Sequence, residues 1–182
     1  MRGTDDCVRW VIQAQCGDRA AMEYVLRAIQ TPLRRYVQRL VGPTATDDVL
    51  QTALISIAKH LKWLAEPRLF RHWAYRIASR AAFDHLRKEK RHGPHDSDET
   101  LLDSLVAAEP RPSGIDVEEL LDGAGVSPAC RAVLMLHFQE AMPLADVAAV
   151  LELPLGTVKS RLAYGLAALR RHLADKKESP YG

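Results

Sequence analysis

The chain has 182 residues, a length that suits one medium domain or two small ones. Its formal net charge is only +2, so overall charge identifies no partner, and no apolar run is long enough to span a bilayer. Three scattered cysteines are too few for a disulfide framework, and residues 1–6 are too polar for a signal peptide, which together predict a cytoplasmic protein. Abundant Leu, Ala and Val with few aromatic residues favour helices.

Two helices are predicted at the start of the chain. The first covers residues 5–16, with Ile12 among its inward-facing residues, and Asp18 then caps the next helix. The second covers residues 19–41, where apolar side chains recur at helical spacing. Pro32 lies inside this pattern and marks either a kink or the first residue of a further helix.

Two more helices are predicted before the composition changes. A Gly-Pro pair ends the second helix, and Thr46 or Asp47 caps a third helix over residues 47–61. A fourth helix covers residues 69–90. Its expected core residues are Phe70, Trp73, Ile77, Ala81 and Leu86.

The fourth helix combines cations with aromatic rings. Single-stranded DNA is held by cations along its backbone and by aromatic side chains that stack on unpaired bases. Since Phe70 and Trp73 lie three apart and are expected in the core, Tyr75 is the expected exposed ring. The cations expected to hold a single strand are Arg68, Arg71, Arg76, Arg80, Arg87 and Lys88. A solvated cationic face is the alternative interpretation.

A different composition begins at residue 92. Residues 92–126 are rich in Gly, Pro and acidic residues, and Arg111 is the only cation after His95. This composition predicts a flexible acidic linker between two small helical domains, at residues 1–91 and 127–182. One role for such a linker is simply to separate two basic domains and keep them soluble.

The C-terminal domain is predicted to contain a helix-turn-helix. Ser127 caps a first helix over residues 127–140. A second helix covers residues 144–151, Pro154 interrupts it, and Thr157 is placed to cap a third. Two short helices joined by a tight turn are typical of this motif.

The third helix begins with the side chains of a DNA reader. A recognition helix places its N-terminal residues in the major groove, where Lys and Arg bond guanine or phosphate and Thr and Ser bond phosphate or base edges. The residues predicted to contact duplex DNA are Thr157, Lys159, Ser160, Arg161 and Tyr164. An amphipathic helix with a solvated basic face is the alternative, and the turn, cap and basic tip together favour DNA binding.

Both halves of the chain resemble bacterial RNA polymerase sigma factors of the extracytoplasmic-function (ECF) group. The C-terminal match is Pro154-Leu155-Gly156-Thr157-Val158-Lys159-Ser160-Arg161-Leu162. The N-terminal matches are Gly17-Asp18-Arg19-Ala20-Ala21, Asp47-Asp48-Val49-Leu50-Gln51, and Trp73-Ala74-Tyr75-Arg76-Ile77-Ala78 followed by Asp84-His85-Leu86-Arg87. The group commonly has Asn where this chain has Arg80, and Arg-Ala-Arg where it has Ala163-Tyr164-Gly165. Gly165 is expected to weaken its helix by about 1 kcal/mol relative to Ala.

The resemblance implies a sigma factor that directs promoter recognition and transcription initiation. Asp47, Asp48 and Gln51 would bind core RNA polymerase. Residues 1–91 would melt the upstream minus-ten element, and residues 127–182 would recognise the minus-thirty-five element. The resemblance also implies an anti-sigma factor as a partner and a linker that passes through the nucleic-acid channel of the polymerase.

Two other functions fit the same sequence. One is a stand-alone helix-turn-helix regulator whose N-terminal domain senses a ligand or dimerises, and the other is a sigma-like decoy that only binds an anti-sigma factor. The sequence contains no Gly-rich phosphate loop and no His-Glu-x-x-His motif. We therefore expect no enzymatic activity, no cofactor and no metal site, and His92 and His95 remain without an assigned role.

Overall fold

The computed structural model describes residues 4–92 and 125–178, which belong to two compact units, Met1–His95 and Asp96–Gly182. Every regular element in the described residues is helical, so the predicted all-α fold is confirmed. The first unit contains α1 (Thr4–Gln15), α2 (Arg19–His60), 3-10 turns at Leu61–Trp63 and Pro67–Leu69, and α3 (Phe70–His92). The second contains α4 (Pro128–Leu134), a π-helical turn (Met135–Gln139), α5 (Leu144–Leu151) and α6 (Leu155–Glu178).

Most of the segment predicted as an acidic linker lies outside the described residues. Across the ranges that are described, no helix combines the length and the hydropathy needed to cross a membrane.

The junction between α1 and α2 is set by a side-chain cap. The Asp18 carboxylate accepts the backbone N–H groups of Ala20 and Ala21, at 2.8 and 3.1 Å, which confirms the predicted cap. The prediction that Ile12 faces inward is wrong, because its side chain is 46% exposed. α1 packs through the neighbouring side of its surface, where Val11 and Ala14 are buried.

A bend at Gly42 divides α2 into two arms. Gly42 has φ 78° and ψ 170°, a conformation that essentially only glycine adopts. The second arm begins at Pro43, because the fixed φ of proline suits the first position of a helix. Thr46 therefore lies inside this arm and donates a hydrogen bond to the Gly42 carbonyl at 2.6 Å, so the prediction that Thr46 or Asp47 caps the helix is wrong. Pro32 has helical backbone angles, so no new helix begins there.

The bend brings side chains of the two arms together. The Arg34 guanidinium forms an ion pair with the Asp47 carboxylate, although the residues are 13 positions apart. Along a straight helix, 13 residues would span about 20 Å. The ion pair therefore depends on the bend of the chain at Gly42.

The core of the first unit lies between α2 and α3. α3 contributes small side chains, and Ala74, Ala78 and Ala82 are fully buried. The Tyr36 hydroxyl of α2 shares a 2.7 Å hydrogen bond with the buried Ser79 hydroxyl of α3. Phe70 is buried as predicted. The other predicted core residues of this helix are only half-buried: Trp73, Ile77, Ala81 and Leu86.

The second unit is built on α4. The Ser127 hydroxyl accepts the N–H of Cys130 at 3.3 Å, and Pro128 follows in the first turn, which confirms the predicted cap. The predicted single helix continues as a π-helical turn, in which the N–H of Glu140 bonds to the carbonyl of Met135 at 3.1 Å. The buried side chains of this stretch are Ala132, Val133, Leu134, Met135 and Leu136.

Candidate nucleic-acid interface

The turn between α5 and α6 depends on one left-handed residue. Glu152 has φ 57° and ψ 44°, and the N–H of Leu153 bonds to the carbonyl of Ala148 at 3.0 Å. This is a common way to end a helix, although glycine usually occupies the left-handed position. The break predicted at Pro154 is thus confirmed, and its geometry is set two residues earlier.

α6 begins earlier than the sequence suggested. The N–H of Val158 already bonds to the carbonyl of Pro154 at 3.1 Å, so the helix is under way at Leu155. Thr157 therefore lies in the first turn of the helix. The prediction that it caps the helix is wrong. Its carbonyl accepts a hydrogen bond from the Ser160 hydroxyl at 3.0 Å.

The structure places four of the five predicted duplex-contacting side chains on one face of α6. We term the five together the α6 tip: Thr157, Lys159, Ser160, Arg161 and Tyr164. Four of them, all except Lys159, follow an i, i+3, i+4, i+7 pattern and share one face of the helix, whereas Lys159 lies on nearly the opposite side, about 150° around the helix axis. Lys159 is exposed, Tyr164 is 42% exposed, and the other three are half-buried. The open N–H groups of the first turn add positive potential at the same place.

Gly165 seats α6 against α4. A Cβ atom at this position would lie 2.7 Å from Cδ1 and 3.1 Å from Cγ of Leu134, which is fully buried. Glycine is a poor helix former, but its lack of a side chain at position 165 allows the two helices to pack closely. This contact positions the α6 tip relative to the rest of the unit.

The six cations predicted to hold a single strand are distributed around α3 and the turn before it. Those that are exposed are Arg68, Arg71, Arg80, Arg87 and Lys88. Arg76 is half-buried, with its Nε atom inside the protein. Arg76, Arg80 and Arg87 share one side of the helix, because their spacing is close to whole turns, whereas Arg71 and Lys88 lie on other sides. Arg87 forms an ion pair with Asp84.

Tyr75 is not the exposed ring that the sequence suggested. Its side chain is fully buried and meets the Tyr36 ring edge to face, with centroids 5.2 Å apart and an interplanar angle of 85°. Close packing of α2 against the alanine side of α3 carries Tyr75 into the core. Tyr75 therefore cannot stack on a base in this structure, and the prediction that its ring is exposed is wrong.

Trp63 is the exposed ring that sequence reasoning missed. Its side chain is 65% exposed, more than any other large hydrophobic residue in the described part of the chain. The Lys62 ammonium lies 4.1 Å from the ring centroid, and the His60 ring lies 5.6 Å away. The signal in the sequence was a tryptophan beside a lysine, in the short segment between two helices.

The predicted polymerase contacts lie on the second arm of α2. Asp47, Asp48 and Gln51 are all exposed, and spacings of three and four residues place Gln51 beside both carboxylates. Asp47 forms an ion pair with Arg34, and this pairing distinguishes its carboxylate from that of Asp48. The backbone carbonyl of Asp48 accepts a hydrogen bond from the Thr52 hydroxyl at 2.9 Å.

The described residues contain no group of three or more His, Cys, Asp or Glu side chains that could hold a metal ion. The three cysteines are free thiols, and burial raises the pKa of Cys7 above its usual value. His95 and the acidic residues around it lie outside the described part of the chain.

Comparison with known proteins assigns a family to each helical unit. The family model of Sigma-70 region 2 matches residues 25–92, which include most of α2 and all of α3. The model of Sigma-70, region 4, matches residues 124–171, which include the helix-turn-helix.

Similarity to whole proteins extends along nearly the entire chain. The ECF RNA polymerase sigma factor SigW of Bacillus subtilis is 26% identical over 176 residues, which are 90% of this chain and 94% of SigW. The RNA polymerase sigma-E factor of Streptomyces avermitilis is 30% identical over 164 residues, 88% of this chain and 89% of that factor.

A solved structure shows the same fold. The sigma factor RpoE from Bartonella quintana, in complex with the anti-sigma factor NepR, matches with a TM-score of 0.65 at 19% identity, covering 84% of this chain and 96% of that one. Sigma factors initiate transcription and are not enzymes. With both family regions matched in order and relatives matched over most of their length, the chain belongs to the ECF group of RNA polymerase sigma factors.

Proposed function

We propose that this sigma factor contacts promoter DNA through both helical domains, with residues 127–182 reading the minus-thirty-five element as a duplex and residues 1–91 opening the minus-ten element. Residues 92–126 connect the two domains. The observation that carries the proposal is the α6 tip, where five polar or cationic side chains gather at the start of the second helix of a helix-turn-helix.

The α6 tip has the chemistry for duplex recognition. Arg161 lies on the shared face and has the planar donor pair that bonds guanine O6 and N7, worth about 1–3 kcal/mol of discrimination per base pair. Lys159 is exposed on the other side of the helix and suits a phosphate contact, which orients the helix in the groove but carries no sequence information. Gly165 keeps the tip in place, because it fixes the distance between α6 and α4.

The first domain has the chemistry for a single strand. Arg76, Arg80 and Arg87 provide a cationic side of α3 along which a sugar-phosphate backbone can run. Trp63 takes the role that the sequence suggested for Tyr75, because its ring is exposed and lies beside a cation. Stacking of a base on such a ring contributes about 1–3 kcal/mol.

The second arm of α2 is the proposed polymerase contact. Asp48 and Gln51 are exposed and lie one turn apart, so they can reach the same partner surface. The Asp47 carboxylate, paired with Arg34, contributes less negative charge to that surface than Asp48.

We further propose an anti-sigma factor as a regulatory partner and the cytoplasm as the location. The anti-sigma factor is supported by the Bartonella quintana structure, in which a protein of the same fold is bound by one. The cytoplasm is supported by the proposed action of the chain on chromosomal promoters and by its free thiols.

The test is promoter opening by the reconstituted holoenzyme, measured as permanganate reactivity of unpaired thymines. The double variant Lys159→Ala, Arg161→Ala should lose dependence on the minus-thirty-five sequence while retaining core polymerase binding. The matched control is Arg170→Ala, Arg171→Ala, which removes two exposed cations from the same helix several residues beyond the α6 tip.

Each domain has its own contradicting outcome. Equal damage from the two double variants would show that α6 contributes only general positive charge. Trp63→Ala should reduce opening, whereas Tyr24→Ala, which removes another exposed ring from the same domain, should not. Normal opening by Trp63→Ala would remove the ring from the single-strand site.

A further inference from the structure

α1 lies outside the residues that match Sigma-70 region 2, yet it reaches the segment that carries Trp63. This segment covers residues 61–69 and joins α2 to α3 through two 3-10 turns. α1 packs against both turns. Its last residue, Gln15, makes the specific contacts.

The Gln15 side chain holds the segment at two points. Its amide nitrogen donates hydrogen bonds to the backbone carbonyls of Leu61, at 3.0 Å, and Leu64, at 2.7 Å. The Leu61 carbonyl also accepts the N–H of Leu64 at 3.1 Å, which closes the turn around Trp63. One amide group from a residue 46 positions away therefore fixes the backbone on both sides of the exposed ring.

Burial divides the segment into an anchor and a presented surface. Leu61 is fully buried and Leu64 is half-buried, whereas Trp63 between them is 65% exposed. An exposed ring can meet an unpaired base in one defined orientation only if its backbone is held. Fixing a binding group before the ligand arrives lowers the conformational entropy lost on binding.

We propose that Gln15 is a positioning residue for promoter opening, which holds the 61–69 segment so that Trp63 is ready for an unpaired base. The inference rests on the proposed function, since it assigns the support for the same single-strand site. It makes α1 part of the promoter-opening apparatus although α1 itself touches no DNA in this scheme.

Gln15→Met tests the proposal, because methionine keeps the length of the side chain and removes the amide donor. The control is Gln30→Met, the same replacement at an exposed helical position of the same domain. In the holoenzyme, Gln15→Met should slow opening of a duplex promoter by about tenfold, the scale of losing one or two net hydrogen bonds. Core polymerase affinity and binding to the minus-thirty-five duplex should match the control.

A spectroscopic measurement separates positioning from a general loss of stability. In a background with Trp10→Phe and Trp73→Phe, Trp63 is the remaining tryptophan, and its time-resolved anisotropy reports local motion of the segment. Gln15→Met should add a fast component to the decay, and Gln30→Met should not.

The outcomes distinguish this inference from the proposed function beneath it. If Trp63→Ala opens promoters normally, the proposed single-strand role of the ring is wrong, and so is the inference about Gln15. If Trp63→Ala is defective but Gln15→Met opens promoters at the normal rate, or shows unchanged anisotropy, the proposed function stands and the role of Gln15 is overturned. Loss of polymerase binding by Gln15→Met would also overturn it.

Discussion

Gly165→Ala should destabilise the C-terminal unit even though alanine is the better helix former. The added Cβ would lie 2.7 Å from Cδ1 of Leu134, a separation that packed carbon atoms do not tolerate, and 3.6 Å from Cβ of Cys130. Leu134 is fully buried in the core of the unit, so its side chain has little room to rotate away. α6 must then shift away from α4, or the leucine must leave its preferred rotamer.

Two opposing terms set the magnitude. Inserting one carbon into a packed core costs about 1–3 kcal/mol. Replacing glycine by alanine inside a helix returns up to about 1 kcal/mol. With the full gain subtracted, the net loss should be up to about 2 kcal/mol, which corresponds to a fall of up to several degrees in the melting temperature of a unit of this size.

Gly156→Ala is the matched control on the same helix. A Cβ at Gly156 would meet no atom within 4 Å, so only helix propensity changes, and stability should be unchanged or raised by up to about 1 kcal/mol. Because the chain has two units, hydrogen exchange of α4 and α6 amides is a better assay than one global melting curve. If both variants behaved alike, the close approach at Gly165 would have no energetic role.

Three further predictions concern stability. Gly42→Ala should cost about 1–3 kcal/mol of the first unit, because alanine rarely adopts the backbone angles at the bend, and amide exchange in α2 measures this. Ser127→Ala should cost about 1 kcal/mol through loss of the α4 cap, seen as faster exchange at the start of α4, whereas Ser127→Asp should retain protection. Tyr36→Phe should cost about 1–3 kcal/mol because it leaves the buried Ser79 hydroxyl without this partner, and urea unfolding of the first unit should show no such loss for exposed Tyr24→Phe.

Features that depend on one helical turn could be predicted from the sequence. The caps at Asp18 and Ser127 involve only the next three residues, so the residue types and their spacing were sufficient. The helix-turn-helix was predictable for the same reason, and so was the face that Thr157, Ser160, Arg161 and Tyr164 share, because spacing along one helix decides which side chains lie together. The start of α6 was placed too late, since a threonine was taken for the cap of a helix that begins at Leu155.

The side of α3 that faces the core could not be predicted, because it depends on how closely α2 approaches. Bulky residues such as Trp73 suggested one side, whereas the structure buries the alanine side and Tyr75 with it. Trp63 was overlooked because it lies in no periodic pattern. The backbone on either side of it is bonded by Gln15, which is far away in the sequence, so no local signal reveals this contact.

We expect Arg34 to be found in a genetic screen for residues that affect polymerase binding. Its loss releases the carboxylate of Asp47, which lies beside the proposed contact residues Asp48 and Gln51, and so alters the charge that this surface offers to a partner. A mutant at position 34 would then change association without ever having touched the polymerase. Double mutants that remove both members of the ion pair would separate this indirect phenotype from a direct one.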